Sequence, residues 1–223
     1  MMHLPKRRTL VFLLPVFFTA ACNLIYYAAM EKLGREKRDI LVKRILTVKK
    51  DQQETQEQLK TTLDAFKEVT GFEGGDLEKT YNRLNGSFER CRSRADELHD
   101  HVESVDDVAK RMFSEWKGEI KNMRNVTLKR QSQALLTDAQ RRHSGYMRQM
   151  RATEAKIRPI LQAFSDQVVF LKHNLNARAI SSLKKTSADL DLQANDLIRE
   201  IGLSSREADD YIKALAQADS VSQ

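Results

Sequence analysis

Cys22 is the residue whose surroundings most directly indicate chemistry. It follows Ala20 and Ala21, at the end of an apolar run that begins after the basic residues at positions 6–8. A basic start, a short apolar stretch and small residues before a cleavage point are typical of a secretory signal peptide. Lipoprotein signal peptidase cleaves before a cysteine whose thiol carries a diacylglyceryl group. The pattern therefore predicts a lipoprotein, with a signal peptide at residues 1–21 and lipidation of Cys22 that includes palmitate or a similar acyl chain.

The same segment supports a second interpretation. From Leu10 to Met30 the side chains are almost all apolar, and the stretch is about long enough to cross a membrane. An uncleaved signal anchor in the inner membrane would use all of it. Asn23 after the cysteine resembles lipoproteins that are sent to the outer membrane, which we favour, but Thr19 stands where such signals prefer Leu. Either anchor places the rest of the chain in the periplasm.

The histidines and cysteines do not form a pattern typical of a metal site or an enzyme. His99 and His101 are two residues apart, so they face different sides of a helix. The only cysteines are Cys22 and Cys91, and neither a His-Glu-x-x-His nor a Cys-x-x-Cys spacing occurs. Cys91 falls on an apolar helix face, which favours a buried side chain. We therefore predict no metal, no cofactor and no catalytic residue.

A second candidate site lies between Ala163 and Ile180. This run has two apolar flanks at helical spacing, and several hydrogen-bonding side chains lie between them. One interpretation is a helix that packs on two sides and ends in a polar turn. The other is a docking surface for a protein partner. The residues that we predict for partner binding are Phe170, Lys172, His173, Asn176 and Arg178.

Long helices must position these residues. Of the 223 residues, 41% are hydrophobic and 31% are charged, with only 8 Gly and 3 Pro, which is the composition of long helices rather than of a broad globular core. In the middle of the chain, apolar residues are spaced alternately by four and three, a period that specifies a left-handed coiled coil. The residues of this seam are Leu77, Tyr81, Leu84, Phe88, Cys91, Ala95, Leu98, Val102, Val105, Ala109, Met112 and Trp116.

A weaker, partly polar seam of the same spacing precedes it. Its members are Leu41, Ile45, Val48, Gln52, Thr55, Leu59, Thr62, Phe66 and Val69. The glycine-rich residues 71–76 between the two seams predict a chain reversal, with Asp76 as the cap of the next helix. A second reversal is expected at residues 124–127, where Asn125 or Thr127 would cap the third helix.

The last third of the chain is harder to divide. Pro159 is expected to kink the third helix without ending it. Two rows of residues then recur every eleven positions, which favours nearly straight packing. The rows are Ile157, Val168, Ala179, Leu190 and Ile201, and Phe164, Leu175, Thr186 and Leu197. These rows favour a helix that continues to residue 201, although they also allow residues 176–201 to fold back. Gly202 is expected to end this helix, and Ser204 with Glu207 forms a capping box for a last one.

The predicted fold class is all-α, an elongated antiparallel helical coiled-coil bundle of three long helices plus a short C-terminal helix. The helices are expected at about 24–70, 76–123, 127–201 and 204–218, within one domain of residues 22–223. The formal net charge is +7, but basic and acidic residues are interspersed along the chain. Interspersed charge favours a solvated helix surface, so we expect no binding of nucleic acid.

Several short runs resemble one bacterial family. They are Tyr26–Gly34, Lys37–Val42, Gly74–Glu78 and, most specifically, Phe170–Arg178. The chain resembles the uncharacterised family known as domain of unknown function 2959. Its members look like small Gram-negative envelope proteins that often carry a lipoprotein-type cysteine shortly before the Tyr-Tyr segment, where Cys22 stands here. The resemblance implies no activity, cofactor or catalytic residue.

These observations predict a non-enzymatic helical scaffold or partner-binding protein that is anchored to the envelope and exposed to the periplasm. The expected partners are membrane lipid, through an acylated Cys22 or an N-terminal span, and either another protein or a second copy of the chain. The alternative is a regulatory or adaptor protein held in the inner membrane by its signal anchor.

Overall fold

A computed structural model describes the backbone of residues 17–220 and the side chains of residues 36–215 except Thr186. The chain divides into two compact units, Met1–Glu36 and Lys37–Gln223. The helices are α1 (Phe17–Thr70), α2 (Leu77–Asn122), α3 (Val126–His173) and α4 (Ala177–Ser220). The fold is all-α, as the sequence predicts.

The predicted targeting features lie outside this description. Residues 1–16 and the side chains of residues 17–35, including that of Cys22, are not described, so the signal peptide, the lipidation and the alternative Leu10–Met30 span stay predictions. Among the described residues, no helix combines the length and the apolar character that a membrane crossing requires.

The second unit is an up-down-up-down bundle of four helices. Side chains join each helix to the next in antiparallel register, and α4 returns alongside α1. The contacts that show this register are Thr55 with Arg94, His99 with Glu154, Lys156 with Glu200, and Gln56 with Ile198. The rings of Phe66 and Phe164 meet edge to face across the core, with centroids 5.7 Å apart. Helices α2 and α3 contain 46 and 48 residues, so each is ~70 Å long.

Both predicted seams form the core. Every predicted seam residue of α1 from Leu41 to Val69 is buried, including the polar Gln52, Thr55 and Thr62. In α2, the seam is buried from Tyr81 to Met112. Its two terminal members, Leu77 and Trp116, are half-buried. The four-three spacing therefore identified the packed face of both helices correctly.

The first two chain reversals also match the prediction. The Asp76 side chain accepts a hydrogen bond from the backbone N–H of Lys79 and caps α2. Gly75 precedes it with φ +110°, a left-handed conformation that glycine adopts without a steric penalty. At the next reversal Asn125, rather than Thr127, is the cap, because its side chain accepts from the backbone of Thr127 and Leu128.

The prediction of a third helix continuing to residue 201 is wrong. Helix α3 passes through Pro159 and ends at His173, and the chain folds back into α4. Asn176 caps the new helix by accepting a hydrogen bond from the N–H of Ala179 at 3.0 Å. Leu175, which the eleven-residue row placed in a core, is 38% exposed at this turn. Folding back covers the apolar stripe of residues 179–201, which a projecting helix would leave in water.

The predicted helix end at Gly202 and the capping box at Ser204 are also wrong, because α4 runs through both. Gly202 faces α1, where an added Cβ would lie 3.0 Å from the Gln56 amide nitrogen, so the missing side chain permits close helix packing. Ser204 is fully buried, and its hydroxyl accepts a hydrogen bond from Gln52 at 2.9 Å. Glycine and serine serve here as small contact residues, not as end signals.

Candidate functional site

The residues predicted for partner binding surround the turn between α3 and α4. Phe170, Lys172 and His173 belong to the last turn of α3, and Asn176 and Arg178 flank the start of α4. All five are solvent-exposed. The α1–α2 turn lies at the same end of the bundle, since Phe66 of α1 packs on Phe164 of α3. We call the end that carries residues 71–76 and 170–178 the tip.

An apolar patch is exposed at the tip. Val169, Phe170 and Leu175 are 52%, 39% and 38% exposed, although neighbouring residues of α3 fill the core. Within the part of the chain whose side chains are described, neither Lys172 nor Arg178 pairs with a carboxylate. Apolar groups bordered by unpaired cations are suited to a partner surface that offers apolar and acidic side chains.

One of the five residues has a structural role. Asn176 is the N-cap of α4, and Asn174 beside it donates a hydrogen bond to the Phe170 carbonyl. The interpretation of this run as a polar turn is therefore correct for the asparagines. Phe170, Lys172, His173 and Arg178 keep side chains that point to solvent. For these four residues, partner binding stays a prediction.

A second cluster, which the sequence analysis missed, lies inside the bundle. His143 of α3 contacts the Asp106 carboxylate of α2 through Nε2 and the Tyr211 hydroxyl of α4 through Nδ1, both at 3.1 Å. All three side chains are buried. The ring of Tyr146 stacks on that of Tyr211 with centroids 4.7 Å apart. These residues are 37 and 68 positions apart in the chain, so no local spacing indicates the cluster.

Basic side chains at the edge of this cluster stabilise the buried Asp106 carboxylate. Burial by itself would raise the pKa of the Asp106 carboxyl, but hydrogen bonds from Lys110, His143 and Arg151 together lower it to about 2. Arg151 donates to Asp106 at 2.8 Å. Burial lowers the pKa of the His143 imidazole more than Asp106 raises it. The histidine is therefore neutral beside an ionised carboxylate near pH 7.

Geometry restricts what this cluster can do chemically. An Asp-His-Tyr arrangement can in principle move protons, but here each of the three side chains is less than a tenth exposed. The groove that Tyr146 and Tyr211 border is shallow and open. A substrate in this groove would meet tyrosine rings and not the imidazole. The arrangement instead resembles the polar layers that fix helix register in bundles.

Other predicted residues have structural contacts. His99 pairs with Glu154 of α3 and His101 with Asp51 of α1, which confirms that they face different sides. Cys91 is buried, as predicted, and burial raises the pKa of its thiol to about 11 despite a hydrogen bond with Thr62. Among the described side chains, no three His, Cys, Asp or Glu residues are arranged to hold a metal ion.

Comparison with known proteins identifies one family. No curated protein and no solved structure matches the chain. The family described as "Protein of unknown function (DUF2959)" matches residues 26–215, which include all of the second unit's core and the tip. The chain therefore belongs to the DUF2959 family.

Proposed function

We propose that this protein is a non-enzymatic helical scaffold of the bacterial envelope that faces the periplasm and binds a protein partner through its tip. The observation that carries the proposal is the apolar patch of Val169, Phe170 and Leu175, which is bordered by the unpaired cations Lys172 and Arg178. The expected partner surface is apolar at its centre and acidic at its rim.

The interior of the bundle supports a binding role over a catalytic one. The Asp106 carboxylate and the His143 imidazole, whose pKa values are both shifted, are enclosed by packed side chains. Another groove is open and follows the start of α3. The pKa of Asp138 in this groove is lowered by its hydrogen bonds and ion pairs with Arg142 and Arg141, which are exposed.

Site-specific photo-crosslinking in intact cells tests the tip. A photoreactive amino acid at Leu175 should form a discrete adduct, and the matched position Leu203, which is exposed on the middle of α4, should not. Mass spectrometry of the adduct distinguishes a different protein from a second copy of this chain. Equal adducts at both positions, or none at Leu175, would contradict the proposal.

Charge reversal gives an independent check. Lys172→Glu with Arg178→Glu should abolish the Leu175 adduct while helicity and melting temperature stay unchanged, because both side chains are exposed. Arg148→Glu with Arg158→Glu is the control, since it makes the same charge change on exposed positions of α3 away from the tip. If the Leu175 adduct persists in the Lys172→Glu, Arg178→Glu variant, the partner does not bind these cations.

The anchor distinguishes the proposal from its alternative. We propose acylation of Cys22 and retention at the outer membrane. A regulatory adaptor anchored by an uncleaved Leu10–Met30 span would remain in the inner membrane. Cys22→Ala or globomycin treatment should leave the precursor uncleaved, with a changed mass and location. If neither treatment changes the mass, and the protein of untreated cells is in the inner membrane, the result would support the adaptor.

A further inference from the structure

The end of the bundle opposite the tip has a different surface. It comprises the last turns of α2, the turn at residues 123–125 and the first turns of α3, and we call it the base. Lys117, Lys121, Arg124 and Arg130 are exposed there. None of these four pairs with a carboxylate within the described side chains. The Lys129 ammonium donates a hydrogen bond to the carbonyl of Lys121 and adds a fifth cation.

Apolar side chains are exposed among these cations. Val126 is 70% exposed, the highest value of any large apolar side chain described, and Leu128 and Leu135 are 56% and 51% exposed. From Val126 to Arg142, α3 buries only Leu136. This first part of α3 therefore presents apolar side chains to solvent.

The base and the tip differ in charge. Residues 117–130 contain five basic residues and one acidic residue, Glu119, which gives 5 − 1 = +4. The turns of the tip, residues 71–76 and 170–178, contain two acidic and two basic residues, or 2 − 2 = 0. The helices between them are ~70 Å long. Charge that is interspersed along the sequence is therefore concentrated at one end of the folded unit.

We infer that the base binds the surface of an anionic phospholipid bilayer. Cations attract the headgroups, and exposed Val and Leu side chains can enter the boundary of the acyl region, as in interfacial helices. A nucleic-acid surface would explain the cations but not the exposed aliphatic groups. The aromatic residue beside them, Trp116, is half-buried and donates a hydrogen bond to Ser132. This inference goes beyond partner binding at the tip and does not depend on whether Cys22 is acylated.

The position of the chain's entry supports a membrane. Lys37, the first residue of the second unit, forms an ion pair with Glu115 near the end of α2. The chain therefore enters this unit at the base. An anchor located before residue 37 would hold this end of the unit near the bilayer, where each basic side chain gains from the negative surface potential.

A fluorescent probe on the full chain tests the inference. The chain with Cys22→Ser and Leu128→Cys is labelled with an environment-sensitive dye and reconstituted into phosphatidylcholine vesicles with and without phosphatidylglycerol. Buried Cys91 does not compete for the label. We expect a blue-shifted emission, and quenching by spin-labelled lipid, only with phosphatidylglycerol. A probe at Leu203→Cys, midway along α4, should respond to neither vesicle.

Matched charge variants complete the test. Arg124→Gln with Arg130→Gln should lower the ratio of docked to undocked probe by roughly twenty-fivefold, about fivefold for each cation. Lys172→Gln with Arg178→Gln at the tip should leave the ratio unchanged. Identical emission in both vesicles would overturn the inference. So would an equal blue shift on adding an oligonucleotide or purified protein without lipid, which would assign the base to that partner.

Discussion

The imidazole Nε2 of His143 lies 3.1 Å from the Asp106 carboxylate in the interior of the bundle. This contact joins α2 to α3, and the Tyr211 hydroxyl on the other imidazole nitrogen extends it to α4. Three helices are therefore connected by one neutral histidine. The paired polar groups of this cluster therefore favour one register of the three helices.

Acidification should destabilise the bundle through this cluster. The pKa of His143 is lowered by burial, so the unfolded chain takes up a proton as the pH falls through ~6.5 while the native state does not. Asp106 acts in the same direction at lower pH, because its pKa of about 2 lies below the unfolded value. We expect the free energy of unfolding in urea to fall between about pH 7.5 and pH 5.

His143→Gln is the control for this pH dependence, since the amide can bond to both neighbours without titrating. The decrease in stability between the two pH values should be smaller in the variant. The same decrease in both chains would show that His143 is not responsible.

The two stacked tyrosines should respond differently to loss of their hydroxyls. Tyr211→Phe leaves Nδ1 of His143 without its partner and should cost about 1–2 kcal/mol. The hydroxyl of Tyr146 has no hydrogen-bond partner among the described atoms, so Tyr146→Phe should be neutral or slightly stabilising. Urea unfolding of the two variants measures this difference, and a larger loss for Tyr146→Phe would contradict the assigned contacts.

A charge in the seam should unfold the bundle, whereas the same charge on its surface should not. Leu84 and Leu98 are 0% and 2% exposed, and replacing either by Asp buries an unpaired carboxylate at a cost of several kcal/mol, on the order of the whole stability. Leu203→Asp, at a position 53% exposed on α4, is the control. Circular dichroism and thermal melting should show loss of helicity only in the seam variants.

The reversal after His173 can be measured as a distance. Lys156 and Glu200 are 44 positions apart, and a continuous helix would separate them by ~66 Å. In the folded bundle their charged groups are 2.7 Å apart. Spin labels at Lys156→Cys and Glu200→Cys should therefore report a separation within roughly 20 Å, because the axes of packed helices lie 8–10 Å apart.

A second labelled pair calibrates that measurement. Arg130→Cys with Lys156→Cys lies within α3 and should give ~39 Å for 26 positions at 1.5 Å each. If positions 156 and 200 are ~66 Å apart while positions 130 and 156 give the expected ~39 Å, the chain forms a continuous helix after residue 173.

Local periodicity was sufficient for the first two helices. Phe88 and Leu98 belong to the same helix face because of the 3.5-residue period, and that face must be buried wherever a partner is found. Cap residues such as Asp76 act within one turn of the backbone, so they too can be identified locally. The exposed run at residues 170–178 was identified for the same reason, because its flanks and polar groups are adjacent in sequence.

The amino-acid sequence by itself determined that the chain is helical, which faces of the first two helices are buried and where the first two turns lie. Only the tertiary structure decided that α3 ends at His173, because Leu171, Leu175 and Ala179 keep a four-residue spacing through the turn. The choice between running on and folding back depends on whether α1 can cover α4, as Gln56 does against Gly202. The His143 cluster, the exposed tip and the basic base likewise depend on side chains that approach only when distant helices pack, an interaction that no local period encodes.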